Sequence, residues 1–250
     1  MIRTAYSLFL LVAVVLVVPA FAPAQDQAGF PVATPESQGL STAALDELAN
    51  EVRGYLDDEL IVGAEILVIK NRHTVLHEVF GWMDREDNKP MGRNTIFNIR
   101  SMTKPLTGAA AQILIDEGKL NLEDRVAKYL PGFDNSKSEA ITIEQLLTHR
   151  SGLPLSILTG LNDYENLYSM ANAVGEGGPQ FRPGSKFWYS DAGTEVLGAV
   201  VEQVSGLFLD QFVTERLLEP LEMGDSFYST GETDPRWGRV GSLYLGLSSR

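Results

Sequence analysis

Apolar positions recur along this chain with two different periods, and the change of period divides it. Between residues 42 and 57 they fall at Leu45, Leu48, Val52, Tyr55 and Leu56, the single stripe of an amphipathic helix. Ser41 stands where such a helix is capped, and Leu40 and Leu45 have the spacing of a hydrophobic staple. The pattern then changes. Ala64 to Ile69 and Thr74 to Trp82 are rich in β-branched and aromatic residues and flank the polar Asn71-Arg72 pair, which predicts a β-hairpin. Gly81 and the charged run from Asp84 to Lys89 are expected to end it.

From Met102 to Glu117 the period is helical again, with Leu106, Ala109, Ala110, Ile113 and Leu114 on one side and Gly118 as the stop. This helix is apolar around much of its circumference, so it is expected to be buried. Thr142 and Gln145 have capping-box spacing before a short helix over Ile143 to Thr148, closed by Gly152 and Pro154. The stretch from Leu161 to Gly178 is polar and ends in glycine, which predicts a loop over a site. Asp191 to Ser205 reads as a helix stopped by Gly206, and Leu207 to Leu218 as another that ends before Pro220. Two strands followed mainly by helices predict an α+β arrangement rather than alternating βαβ units.

Composition narrows the class of function. With 250 residues, 44% of them hydrophobic, the chain can bury a real core, and its net charge of −13 argues against nucleic acid or an anionic membrane surface as the main partner. A small-molecule substrate is the expectation. Residues 1–24 carry Arg3, an unbroken apolar run from Leu8 to Val18 and small-residue cleavage sites near Ala22 and Ala24. They are expected to be a signal peptide, with an uncleaved membrane anchor as the alternative, so that the protein is secreted or periplasmic. There is no cysteine, which removes disulfides and thiolate metal sites.

The candidate chemistry centres on Ser101-Met102-Thr103-Lys104. Positions i and i+3 share a helix face, so the hydroxyl and the amine can converge, and a serine is a poor nucleophile until a nearby base takes its proton. A lysine held neutral by desolvation or by cationic neighbours is one such base. At the first turn of a helix, backbone N–H groups and the positive dipole end favour a developing oxyanion. An S-x-x-K tetrad alone is weak, because serine and lysine are common. His73 and His77 are read as apart from any acidic cluster, there is no H-E-x-x-H, and neither a metal nor another cofactor is expected. No G-x-S-x-G nucleophile elbow occurs.

Four strings in order make the reading specific. Ser101-Met102-Thr103-Lys104-Pro105, Leu146 to Leu153 (LLTHRSGL), Pro183 to Ser190 (PGSKFWYS) and Glu219 to Met223 (EPLEM) resemble the successive signatures of the β-lactamase-related serine hydrolases. That family comprises class C β-lactamases, D-alanyl-D-alanine carboxypeptidases and related esterases. The resemblance covers nearly all of the chain after the leader. It implies one domain over 25–250 with a helical region packed on an antiparallel sheet, and Ser101 as acylated nucleophile with Lys104 as the adjacent amine. Tyr189 matches the tyrosine of the family's Y-x-N element, where a phenol near a cationic lysine can act as base. His149 belongs, in that pattern, to a structural turn.

Asp191 falls where the Y-x-N element most often has asparagine, a substrate-binding position. A carboxylate there cannot donate through an amide and is expected to keep Lys104 protonated, which favours ester over β-lactam hydrolysis. The family's third element, a K-T-G or H-x-G on a strand, has no counterpart here, since Ser229-Thr230-Gly231 lacks the cation and comes too early. The resemblance thus implies missing C-terminal strands and a missing helix. Two expectations follow: a secreted serine hydrolase that forms an acyl-serine on an ester, peptide or β-lactam carbonyl, or a truncated, non-catalytic relative whose missing segment another chain supplies.

Overall fold

The computed structural model describes residues 29–156, 164–228 and 233–244. The expected signal peptide, the first residues of the loop predicted from Leu161, and Ser229-Thr230-Gly231 lie outside them. The chain forms two compact units, residues 1–95 and 96–250, and each is described by itself.

In the first unit Ser41 caps helix α1, Thr42–Asp57, accepting a hydrogen bond from the Ala44 N–H as its spacing predicts. The hairpin is also as expected: β1, Gly63–Lys70, pairs antiparallel with β2, His73–Asp84. Asn71 and Arg72 both take positive φ, 50° and 60°, the twist that a two-residue turn needs to match the strands. The charged run does not end the sheet, as the sequence had suggested. Asn88, at φ 53°, turns the chain back so that β3, Lys89–Pro90, pairs with the end of β2. His77 meets a single carboxylate rather than an acidic cluster, its Nε2 lying 2.5 Å from Glu65 Oε1 on the neighbouring strand. Among the described residues no group of three His, Cys, Asp or Glu could hold a metal.

The second unit is helical. A 3₁₀ turn over Arg100–Thr103 leads into α2, Lys104–Asp116, which starts two residues later than its apolar pattern predicts. Pro105 explains the boundary: it lacks an N–H and fits only the first turn, so regular α-geometry begins around it. Thr142 and Gln145 form the predicted capping box on α3, Ile143–Leu147.

The loop predicted from Leu161 to Gly178 is corrected by α4, Leu167–Gly177. Asn166 and Ser169 make a second capping box, and Met170, Ala171 and Val174 supply a buried stripe. The asparagine cap and the short apolar face explain why the segment reads as polar loop. Gly175 lets α4 meet the buried ring of Phe133, since a Cβ there would lie 2.4 Å from it.

Helix α5, Asp191–Ser205, is the axis of this unit. Val196, Leu197, Ala199, Val200 and Val201 are all buried, and α2, α3, α4 and α6 (Leu209–Val213) pack around it. A π-helical turn over Thr214–Leu218 continues α6, completing the helix expected up to Leu218. Gly206, in the left-handed conformation, ends α5 where the sequence places the stop.

Candidate active site

Three pieces of chain converge at the N-termini of α2 and α5. The first is the 3₁₀ turn that carries Ser101. Arg100, just before it, sits at φ 48°, a left-handed conformation that costs a non-glycine residue roughly 1 to 3 kcal/mol. The turn leaves Ser101 exposed, with Lys104 one turn on at the start of α2. Lys104 Nζ donates to Ser101 Oγ at 3.0 Å, so the convergence predicted from i, i+3 spacing is present.

The second piece is the segment that ends in α5. Ser190, fully buried, caps the helix by accepting from the Gly193 N–H at 2.8 Å and donates its hydroxyl to the Pro154 carbonyl at 2.7 Å. The Asp191 N–H donates to the Leu155 carbonyl at 2.7 Å, and the Trp188 N–H to the His149 carbonyl at 2.8 Å. Held on both sides, Tyr189 presents its ring 4.9 Å from Lys104 Nζ, and Lys104 and Ser101 both act on its phenol. Hydroxyl, amine and phenol therefore meet in one place.

Asp191, in the first turn of α5, puts its Oδ1 2.7 Å from Lys104 Nζ. This is an ion pair without a well-aligned hydrogen bond at Oδ1. The positive end of the α5 dipole supports the same carboxylate. Partial burial works against the charge on Lys104, but Asp191 and Tyr189 outweigh it and hold the amine above the ordinary lysine value. Lys104 is thus a fixed cation rather than a neutral base. Hydrogen bonding from Lys104 and then from Ser101 draws the Tyr189 phenol below its ordinary value, against the smaller opposing pull of Asp191. Of the two candidate bases, the geometry favours the phenol.

The third piece is the turn of residues 146–153. His149, expected to be only a structural residue, stacks on Tyr189 with ring centroids 4.6 Å apart and touches Phe187 edge-on at 5.9 Å. Its Nδ1 lies 3.3 Å from the Ser190 N–H, an acceptor position that requires this nitrogen to be unprotonated. Burial and the nearby Lys104 push its pKa down, which agrees with a neutral ring. His149 thus fixes the ring of Tyr189 through its own backbone turn at φ 54°. A cavity of about 230 Å³, lined by Lys104, Pro105, Gly108, Leu147, His149 and Thr194 among others, adjoins the amine.

Residues 48–243 match the Beta-lactamase family. The chain belongs to that family. Its sequence is 34% identical over 169 residues to Protein flp of Staphylococcus aureus (strain MW2), covering 65% of this chain and 34% of that protein. It is 33% identical over 201 residues to Esterase EstB of Burkholderia gladioli, covering 72% of this chain and 50% of that protein. A penicillin-binding protein homologue from Pyrococcus abyssi superposes with a TM-score of 0.67 at 27% identity, over 80% of this chain and 48% of that one. The fold is accordingly β-lactamase/transpeptidase-like, and the family is one of serine hydrolases. The chain spans half or less of the length of these relatives.

Proposed function

We propose that this protein is a secreted or periplasmic serine hydrolase that acts on esters through an acyl-serine intermediate, with Ser101 as nucleophile and Tyr189 as base. Ser101 Oγ attacks the ester carbonyl carbon while its proton passes to the Tyr189 oxygen. The bond to the alcohol then breaks, and the departing oxygen takes that proton. Water attacks the acyl-serine, again giving a proton to Tyr189, and the acid is released as Ser101 is reprotonated. Lys104 stays charged throughout and favours the phenolate.

The observation that carries this reading is the single amine shared by Ser101 at 3.0 Å and Asp191 at 2.7 Å. A nucleophile, a fixed cation and a lowered phenol are the parts that acyl transfer needs, and the likeness to an esterase agrees with it. Asp191 directs the choice among carbonyl substrates. Its charge cancels that of Lys104, which weakens attraction for the carboxylate of a penicillin and leaves neutral esters less affected. A fluorophosphonate probe should label Ser101, as read by mass spectrometry, with no labelling in Ser101→Ala. Nitrocefin should react far more slowly than p-nitrophenyl esters. Labelling that persists at Ser101→Ala would remove the nucleophile and the reading with it.

One fact favours a second reading, a non-catalytic relative completed by a segment from another chain: the match covers at most half of the curated relatives' length. In that case Ser101 stays unlabelled in the isolated chain. Labelling returns only when the partner segment is co-expressed.

A further inference from the structure

The acyl-transfer steps give His149 no task, yet it is tied to Tyr189 and to the residues on both sides of it. Its ring centroid lies 4.6 Å from that of Tyr189 and 5.9 Å from that of Phe187. Its carbonyl accepts from the Trp188 N–H at 2.8 Å, and its Nδ1 accepts from the Ser190 N–H at 3.3 Å. These two bonds flank Tyr189, one residue before it and one after. A backbone N–H can only donate, so the second bond exists only while Nδ1 is bare and the ring carries its proton on Nε2. Ser190 is 1% exposed, so its N–H has no bulk water to turn to if that bond is lost. A buried donor left without an acceptor costs the fold its desolvation in full.

We propose that His149 is a positioning residue for Tyr189 that releases it in acid: with Nδ1 bare it clamps residues 187–190 so that the phenol stands beside Ser101 and Lys104, and with Nδ1 protonated it lets them go. This role rests on Tyr189 being the base. Protonation sets two donors, Nδ1–H and the Ser190 N–H, against each other, and it puts a second cation on the cavity that Lys104 already lines. Ser190 caps α5, so the junction that moves is the one that carries the base. Among the described residues, the titratable groups that face the ring are Lys104 at the start of α2, Asp191 at the start of α5, and Tyr189. Its own helix, α3, brings no charge that moves its titration.

Burial and then Lys104 hold His149 below the ordinary histidine value, against the pull of Asp191, so the clamp stays closed in neutral solution. A histidine whose folded pKa is depressed stabilises the fold above its unfolded value, and that contribution is lost as pH falls through the folded one. The fold thus weakens in the same acid range in which the clamp opens. Charge alone would act on the reaction in the reverse direction, since an imidazolium beside the phenol favours phenolate.

The pH profile of Ser101 labelling by a fluorophosphonate in the full chain separates these two effects. Going down from neutral pH, the rate should fall about tenfold for each pH unit while Tyr189 alone limits it, and about a hundredfold once His149 takes its proton as well. His149→Asn sets a carbonyl oxygen in place of Nδ1, suits the left-handed backbone at φ 54°, and cannot titrate. It should label more slowly than the parent at neutral pH, for want of the stacked ring, and keep the tenfold slope throughout. The His149 midpoint is read from its Cε1–H resonance, assigned by through-space contact with the Tyr189 ring, and the Ser190 amide resonance should titrate with the same midpoint. A parent profile that keeps the tenfold slope or flattens below that midpoint overturns the proposal, and so does a steep limb that persists in His149→Asn. A Ser190 amide indifferent to the His149 midpoint overturns it too, a measurement on the parent chain that stands even if His149→Asn does not fold. Should Ser101 prove unreactive to every probe at every pH, the hydrolase reading falls, yet the Ser190 titration still decides whether His149 is a clamp.

Discussion

At the scale of single residues, the site is governed by one ammonium ion. Lys104 is held above the ordinary lysine value and Tyr189 below the ordinary tyrosine value, so a window exists in which ammonium and phenolate coexist. Labelling of Ser101 should therefore rise as pH approaches the depressed Tyr189 value from below. It should fall again only when Lys104 loses its proton, above the ordinary lysine value. Tyr189→Phe removes the base and leaves the ring on His149, and labelling should slow by about 10²- to 10⁴-fold with the fold unchanged by circular dichroism. Asp191→Asn removes the ion-pair partner of Lys104, so the alkaline limb of the same profile should move to lower pH. Reaction with a penicillin should gain relative to reaction with an ester. A profile whose alkaline limb does not move would show that Asp191 does not control the lysine.

At the scale of elements, the second unit depends on close helix approaches that only glycine allows. Gly175 on α4 faces the Phe133 ring and the Gly132 carbonyl, at 2.4 Å and 2.7 Å from where a Cβ would stand. Gly175→Ala gains roughly 0.5 to 1 kcal/mol in helix propensity. The clash with a fully buried ring and a backbone oxygen is larger, so the net result should be a loss of about 1 to 3 kcal/mol in chemical denaturation. A more stable Gly175→Ala would mean that Phe133 can move aside. The two capping boxes differ in how openly they are written. Thr142 and Gln145 introduce an apolar run, whereas Asn166 and Ser169 flank Leu167 and Tyr168 within a stretch otherwise polar and glycine-rich. Signals of the first kind are legible in a sequence, and those of the second are hidden by composition.

At the scale of the whole molecule, the first unit leaves the β1 edge of its sheet without a neighbouring strand among the described residues. The sheet runs β1-β2-β3, which leaves β1 at its margin, with Leu67 44% and Ile69 42% exposed. Unpaired strand edges with apolar side chains template association between chains. The 250-residue chain should therefore self-associate with rising concentration in light scattering, and Leu67→Lys should reduce that without loss of folded signal. Equal scattering from both proteins would place the association elsewhere. No helix among the described residues is by itself long and apolar enough to cross a membrane.

Local signals determined much of this protein in advance. Caps, glycine stops and the Asn71-Arg72 turn act within a few residues, so they placed α1, the hairpin, α3 and α5 with nearly correct ends. The S-x-x-K spacing likewise brought Ser101 and Lys104 onto one face before any fold was known. What lay beyond the sequence was the meeting of groups far apart along it. The stacking of His149 on Tyr189, its bond to Ser190 and the ion pair of Asp191 with Lys104 follow from where α2, α3 and α5 cross. Protonation is decided there as well, because a charge responds to every neighbour and to its distance from water, and both quantities exist only once the helices are packed.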